Sequence, residues 1–299
     1  MSSKETVINI QGIREFDLSR IQLGNCLVVI GQRGLGKSVL NRDICHHFQR
    51  IPAGLIINGS ESASAFYSRF FPSLFIYEHF DEEKLDNIFK YQSKILNEEA
   101  KKRNLEPADC KRIGNAFLYL MDDCMAEAKK WKNSMLVKKL FQQSRHFNLL
   151  SIVNLQYAMG LLPEQRSNVD FVFLFREDEV ASKEKLYKQY AGIIPDQMHF
   201  NALMDFYCRS HGCLVIDKRS NSPNWVDRVF WYRAKLHPEK FRMGSASLWK
   251  LHDDRHKADD EQDEDPNVRR LQDTIHRYSS PGSGGKRVQI VYPHRKRTT

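Results

Sequence analysis

Residues Gly31-Gln32-Arg33-Gly34-Leu35-Gly36-Lys37-Ser38 have the spacing G-x-x-x-x-G-K-[ST]. Each residue type in that pattern answers a chemical demand. Small residues let backbone N–H groups approach phosphate oxygens, a lysine suits the β- and γ-phosphates, and a hydroxyl suits a Mg²⁺ ion. The loop joins an apolar run to a helical pattern that begins at Lys37, Ser38 and Val39, and the unpaired amides of a helix start favour an anion. Gly31 to Val39 are therefore the candidate nucleotide-binding residues.

A metal-side carboxylate is expected at the end of another buried strand. The run 116–121, AFLYLM, ends in Asp122-Asp123. Asp122 is placed to hold Mg²⁺ together with Ser38, and Asp123 to polarise an attacking water. Gln156 closes a further apolar run, 149–155, where an amide can reach a γ-phosphate and its water. Arg166 lies in the connection that follows. An arginine delivered there across a subunit interface neutralises developing charge and is worth about 10³–10⁵ in rate. Both residues also have a plainer reading, Gln156 as a strand-end cap and Arg166 as an ion-pair partner of Asp170. No guanine-reading N-K-x-D stretch stands at a suitable place, so ATP is expected rather than GTP.

These residues need a scaffold. Short apolar, β-branched runs alternate with helix-length segments, the pattern of an α/β fold with a mostly parallel sheet flanked by helices. The expected strands are 26–30, 54–58, 116–121, 149–155 and 171–175, with 213–217 and 228–232 as edge strands or a hairpin. The expected helices are 37–49, 82–102, 134–147 and 182–190. From about Leu251 the sequence turns charged and Ser/Gly-rich, which predicts an ATPase domain over residues 1–250 and a flexible tail over 251–299. One short helix is expected near 268–278.

The chain has 299 residues, 41% of them hydrophobic, with a formal charge of +9 and six cysteines. No run reaches the ~20 apolar residues of a membrane span, and the start lacks a secretion signal. The cysteines form no CxxC pair, so reduced, buried thiols are expected rather than a zinc site. A basic balance favours polyanions. The span Lys129–Arg145 carries six basic residues and no acid, residues 252–273 carry nine acids against four bases, and the stretch from Thr274 has six bases and no acid.

Four stretches in this order, GQRGLGKS, GLIINGSESASAFYSRFFPSLFIYEHF, FLYLMDDC and SRHFNLLSIVNLQYAMGLLPEQRSNVDFVFLFRED, resemble the genome-packaging ATPases of nucleocytoplasmic large DNA viruses, a branch of the FtsK–HerA superfamily. The resemblance covers roughly residues 10 to 200. It implies a RecA-like P-loop core with a strand added between the nucleotide-loop strand and the Asp-bearing strand. It also implies a homo-oligomeric ring, pentamer or hexamer, that moves double-stranded DNA into a preformed capsid. Viral capsid or internal-membrane proteins would be its partners, and the host cytoplasm and the virion its places of work. By the same resemblance Lys37, Ser38 and Asp122 serve phosphate and Mg²⁺. Asp123 stands where many relatives carry glutamate, Gln156 is the γ-phosphate sensor, and Arg166 is the trans-acting finger with Arg145 as its rival. Another DNA pump of the superfamily, or a nucleotide-binding scaffold without turnover, are the alternatives.

Ser60 and Glu61 are placed to line the nucleotide site, and Phe66, Tyr67, Phe70, Phe71, Phe75 and Tyr77 are expected in the core. For DNA, the candidates are Lys129–Lys139, with Trp131 set among lysines, and the basic tail from Gly285. A solvated helix face with Trp131 half buried is the alternative for the first.

Overall fold

The apolar runs become the centre of one sheet. The computed structural model describes residues 12–262 apart from Pro238. The strands are β1 (Arg14–Glu15), β2 (Cys26–Ile30), β3 (Ala53–Asn58), β4 (Ile76–Tyr77), β5 (Phe117–Asp122), β6 (Leu149–Leu155), β7 (Phe171–Phe175), β8 (Gly212–Asp217) and β9 (Val229–Arg233). Their order is β1-β9-β8-β7-β2-β6-β5-β3-β4. From β7 to β4 every pairing is parallel, and β8 runs antiparallel to both β7 and β9. Strand β6 sits between β2 and β5, which is the added strand that the resemblance implies.

Strands β2, β5, β6 and β7 are buried along their whole length, as a sheet covered on both faces requires. Side chains alternate between the faces. Val28, Ile30, Val153 and Leu155 join one apolar cluster, and Leu27, Val29, Leu150 and Ile152 the other. Full burial of each such side chain contributes about 1.5–3 kcal/mol.

The helices are α1 (Lys37–His47), α2 (Glu61–Tyr67), α3 (Glu82–Arg103), α4 (Ala128–Lys132), α5 (Met135–Gln143), α6 (Pro163–Ser167), α7 (Val180–Leu186), α8 (Gln197–Tyr207) and α9 (Ala246–Gln262). Helix α3 shows why the pattern was readable. The Asp81 carboxylate accepts from the amides of Glu83 and Lys84, acids fill the first turn, bases fill the last, and Asn104 closes it in the left-handed region. These are the favoured cap and dipole arrangements.

Most boundaries fall within two residues of expectation, α1 ending at His47 rather than 49; two helices differ by more. The helix expected over 134–147 starts at Met135, with Ser134 as its cap, and ends at Gln143. The chain then reverses through Asn148 at φ 53°. The segment expected over 182–190 is α7, followed by a wide π turn at Tyr187–Ala191. Helix α8 was not foreseen; its buried Phe200, Leu203 and Met204 follow the i, i+3, i+4 spacing that marks one helical face.

The chain divides into two compact units, Met1–Lys250 and Leu251–Thr299. Helix α9 extends to Gln262, beyond the point where the sequence turns polar. The helix expected near 268–278 and the basic tail lie outside the described residues. All six cysteines are free and buried, and burial pushes the thiols of Cys45, Cys124 and Cys208 up to about 12. No helix among the described residues is long and apolar enough to cross a membrane.

Candidate active site

The loop between β2 and α1 lies at the carboxyl end of the parallel strands, where such sheets bind ligands. Gly34 and Gly36 hold φ of 81° and 101°, a region that side chains resist. A Cβ on Gly31 would stand 2.6 Å from the Phe175 side chain. The glycines thus shape the turn as the motif requires.

A cleft of about 450 Å³ opens over this loop, with Arg33, Lys37, Ser38, Val39, Ser60, Asp122 and Asp123 among its lining residues. The Lys37 ammonium donates to the carbonyls of Gly31 (2.7 Å) and Gln32 (2.9 Å). Burial lowers its pKa from the ordinary lysine value, while the charges of Asp122 and Asp123 act the other way. A bound phosphate would add to that opposing effect and favour the ammonium form.

Asp122 ends β5 beneath the cleft and is buried. Its Oδ2 accepts from the Ser38 hydroxyl at 2.8 Å and from the Tyr67 hydroxyl at 2.6 Å, and its Oδ1 accepts from Asn154 Nδ2 at 2.7 Å. Tyr67 in turn accepts from Asn41 Nδ2 at 2.8 Å. Burial first, and the Asp122 charge second, raise the Tyr67 pKa well above its ordinary value, so the phenol keeps the proton that it donates.

Asp123 is held differently. Its backbone is left-handed (φ 49°, ψ 31°), a conformation that aspartate tolerates better than most residues. Its carboxylate meets Arg33 at 3.0 Å and Gln156 Nε2 at 2.5 Å. Asp122 is thus fixed from below, whereas Asp123 is held by side chains at the cleft.

The structure therefore brings together Gly31–Val39, Asp122, Asp123 and, through its amide, Gln156. Some loop groups turn elsewhere: the Gln32 side chain donates to Glu177 at 3.2 Å, and the backbone carbonyl of Leu35 lies 3.3 Å from His211 Nδ1. The structure does not bring Arg145 or Arg166 to this cleft. Arg145 pairs with Asp170, and Asp170 also accepts from the Cys26 amide at the start of β2. Arg166, in α6, donates to the Leu161 carbonyl at 2.6 Å, and its own carbonyl accepts from Lys218. The pairing of Arg166 with Asp170 considered from sequence is not the one formed.

Two residues that hold Asp122 were missed. Asn154 is a polar residue inside a wholly buried strand, and a buried amide needs partners; that signal was present. Tyr67, expected as core, is buried, yet its hydroxyl reaches the metal-side carboxylate; nothing in an aromatic-rich stretch announces that. Among the DNA candidates, Trp131 is 1% exposed and donates its indole N–H to the Cys124 carbonyl at 2.9 Å. It is a core residue, so neither of its expected placements holds. Around it, Lys130 pairs with Glu127, Lys138 with Glu164, and Lys139 lies over the rings of Phe89 and Phe147.

The chain is 32% identical over 240 residues to the uncharacterized protein L437 of Acanthamoeba polyphaga mimivirus, a match that spans 80% of this chain and 82% of that one. It is 37% identical over 229 residues to the uncharacterized protein 015R of Frog virus 3, spanning 76% of this chain and 67% of that one. The chain belongs to this family of large-DNA-virus proteins. No protein-family model matches it. Among solved structures, the pCW3 conjugation coupling protein TcpA with ATPγS superposes at a TM-score of 0.50 and 12% identity, over 77% of this chain and 66% of that one. The genome packaging NTPase B204 of Sulfolobus turreted icosahedral virus 2, in complex with AMP, gives 0.47 and 13%, over 72% and 100%. At these identities the likeness is one of fold. The fold is the P-loop core with a mostly parallel sheet that the motifs imply.

Proposed function

We propose that this chain is an ATPase that drives double-stranded DNA, without reading its sequence, into a preformed viral capsid, working as a homo-oligomeric ring. The observation that carries the reading is the convergence of Lys37, Ser38, Asp122 and Asp123 on one cleft at the carboxyl end of a parallel sheet. Lys37 holds the β- and γ-phosphates of ATP and the loop amides hold the rest. A hydroxyl and a carboxylate 2.8 Å apart form the oxygen donor set that Mg²⁺ takes while keeping most of its waters; Ser38 and Asp122 would hold it. That ion supplies charge neutralisation at the phosphates. Asp123, oriented by Gln156, accepts a proton from the attacking water, and Gln156 reports the presence of the γ-phosphate.

The placement of the two arginines supports a ring. Each bonds away from the cleft of its own subunit, Arg145 to Asp170 and Arg166 to the Leu161 carbonyl, and we assign one of them to the nucleotide of a neighbour. Arg166 is our choice for that role and Arg145 its rival. Residues 1–250 form the motor, and residues 251–299 a charged extension whose basic end is a second DNA contact. Capsid or internal-membrane proteins at the cytoplasmic assembly site are the docking partners, and some copies remain in the virion.

The test is steady-state ATP hydrolysis with and without duplex DNA, alongside particle mass with ATP analogue bound. DNA should stimulate turnover, and Lys37→Ala should lower it by at least about 10²–10³-fold while leaving DNA affinity largely intact. Full activity in a monomer would sink the ring. No turnover, even in a single-turnover experiment with DNA, would favour a nucleotide-binding scaffold.

A further inference from the structure

Away from the cleft, at the carboxyl end of α1, three side chains converge in an arrangement that nucleotide chemistry does not use. His46 Nε2 and His237 Nδ1 each lie 3.3 Å from the same oxygen, Oε1 of Glu239. The other nitrogen of His237 is 2.8 Å from Asp43 Oδ1. Asp43 is buried, and its second oxygen is taken by the Tyr232 hydroxyl and the Lys235 amide, both at 2.7 Å. The His46 ring is stacked on that of His237 at 3.7 Å and packed by the edge of Phe241 at 5.0 Å.

We propose that His46, His237 and Glu239 form a binding site for a divalent transition metal, best suited to Zn²⁺. Three features point to it. First, metal–ligand bonds of about 2.0–2.1 Å in a tetrahedron give ligand–ligand edges of ~3.3–3.4 Å, which is the spacing of both nitrogens from the Glu239 oxygen. The two rings are stacked and their lone pairs lie in the ring planes, so the partly exposed His46 ring must turn to aim Nε2 at the ion.

Second, the site has its outer support. A ligating histidine gives its other N–H to a carboxylate, which fixes the tautomer and the ring. Asp43 stands in that place, so Nε2 of His237 carries the proton and Nδ1 faces the metal with its lone pair. Third, a cation is favoured at this end of the helix by the α1 dipole. An adjoining cavity of about 350 Å³ reaches both histidines, with Glu15, Asp17 and Lys235 among its walls.

Two imidazoles and a carboxylate with one position left for water is a donor set that zinc accepts. The metal would clip the segment after β9 to α1, the helix whose first turn carries Lys37 and Ser38. Arg42 already reaches the same segment through the His237 carbonyl at 2.6 Å.

The test uses the full chain without a histidine tag, stripped with chelator and titrated with Zn²⁺, with Co²⁺ as a spectroscopic reporter. One equivalent should bind, Co²⁺ should show the intense visible bands of a tetrahedral site, and Tm should rise by several degrees. His46→Ala should weaken binding by more than about 100-fold, since even an outer partner is worth about 10–100-fold. Glu239→Gln, at an exposed position, should weaken it by at least about tenfold and abolish most of the Tm rise, with ATP binding unchanged as proof of folding. Equal Zn²⁺ affinity in wild type, His46→Ala and Glu239→Gln would overturn the site. So would a cluster stabilised by acidification and indifferent to metal, which would identify a protonated histidine pair held by carboxylates. Neither result bears on the ATPase reading, because ATP binding is scored separately.

Discussion

The two ends of the parallel sheet are built to opposite plans. At the carboxyl ends of β2, β5 and β6, the lysine, the hydroxyl and the two carboxylates face an open cleft, and the Lys37 ammonium is satisfied only by carbonyls of its own loop. At the other end, basic side chains are already bonded within the fold. Arg145 is paired with Asp170, Lys218 is spent on the Arg166 carbonyl, and Arg219 sits against Asp217 and the Phe171 ring. One end awaits a polyanion; the other presents basic side chains held in place by the fold. In the proposed ring, the first end of one subunit would meet the second end of its neighbour.

The strongest way to break that comparison is at the far end. Arg166→Ala should cost about 10³–10⁵ in turnover if the arginine acts on a neighbour's nucleotide, with ATP affinity little changed. Mixing it with Lys37→Ala subunits should restore part of the activity, because each variant then supplies the half that the other lacks. Arg145→Ala should cost far less in turnover. If the two arginine variants exchange these behaviours, the finger is Arg145; if mixing rescues neither, no arginine at this end works across an interface.

At the cleft end the instructive residue is Tyr67. Tyr67→Phe removes one donor from Asp122 and leaves the Asn41 amide without its acceptor. A hydrogen bond to a charged group is worth about 1.5–3 kcal/mol, so stability should fall by about that amount in urea unfolding. With Asp122 less firmly placed, turnover at limiting Mg²⁺ should drop by roughly tenfold and recover at high Mg²⁺. An unchanged Mg²⁺ dependence would mean that Tyr67 only packs.

The asymmetry between the ends also governs what could be read from sequence. The phosphate loop, the Asp122-Asp123 pair and the five central strands were legible because each is local. A motif of fixed spacing and an apolar run need no knowledge of distant neighbours. The β8–β9 hairpin was legible for the same reason. What stayed hidden depends on chain crossings. Tyr67 and Asn154 meet Asp122 from α2 and β6, so their role exists only once three segments converge. Trp131 among lysines looked like a nucleic-acid contact because composition does not say which face of a five-residue helix is inward. The His46–His237 cluster joins residues 191 positions apart, with no metal-binding spacing to announce it. The Leu161 carbonyl to which Arg166 donates was not legible either, because the sequence suggested Asp170 as its partner.

The smallest effect sharpens the comparison most. Arg33 and Asp123 form an ion pair at 3.0 Å, yet the arginine side chain is 78% exposed. An exposed pair is worth about 0–1 kcal/mol and is weakened by salt. Arg33→Ala should therefore change the free energy of unfolding by less than about 1 kcal/mol, with a difference that fades as salt is raised. Gln156 continues to hold Asp123 at 2.5 Å, so turnover at saturating ATP should stay within a fewfold of wild type, and any loss should appear chiefly in KM. That outcome would mark the Arg33 guanidinium as loosely held and free to turn toward phosphate, unlike the bonded set at the other end. A loss of more than about 2 kcal/mol, well above the range for exposed pairs, would mean that Arg33 braces the loop as Asp170 braces Arg145. The two ends of the sheet would then follow one plan rather than two.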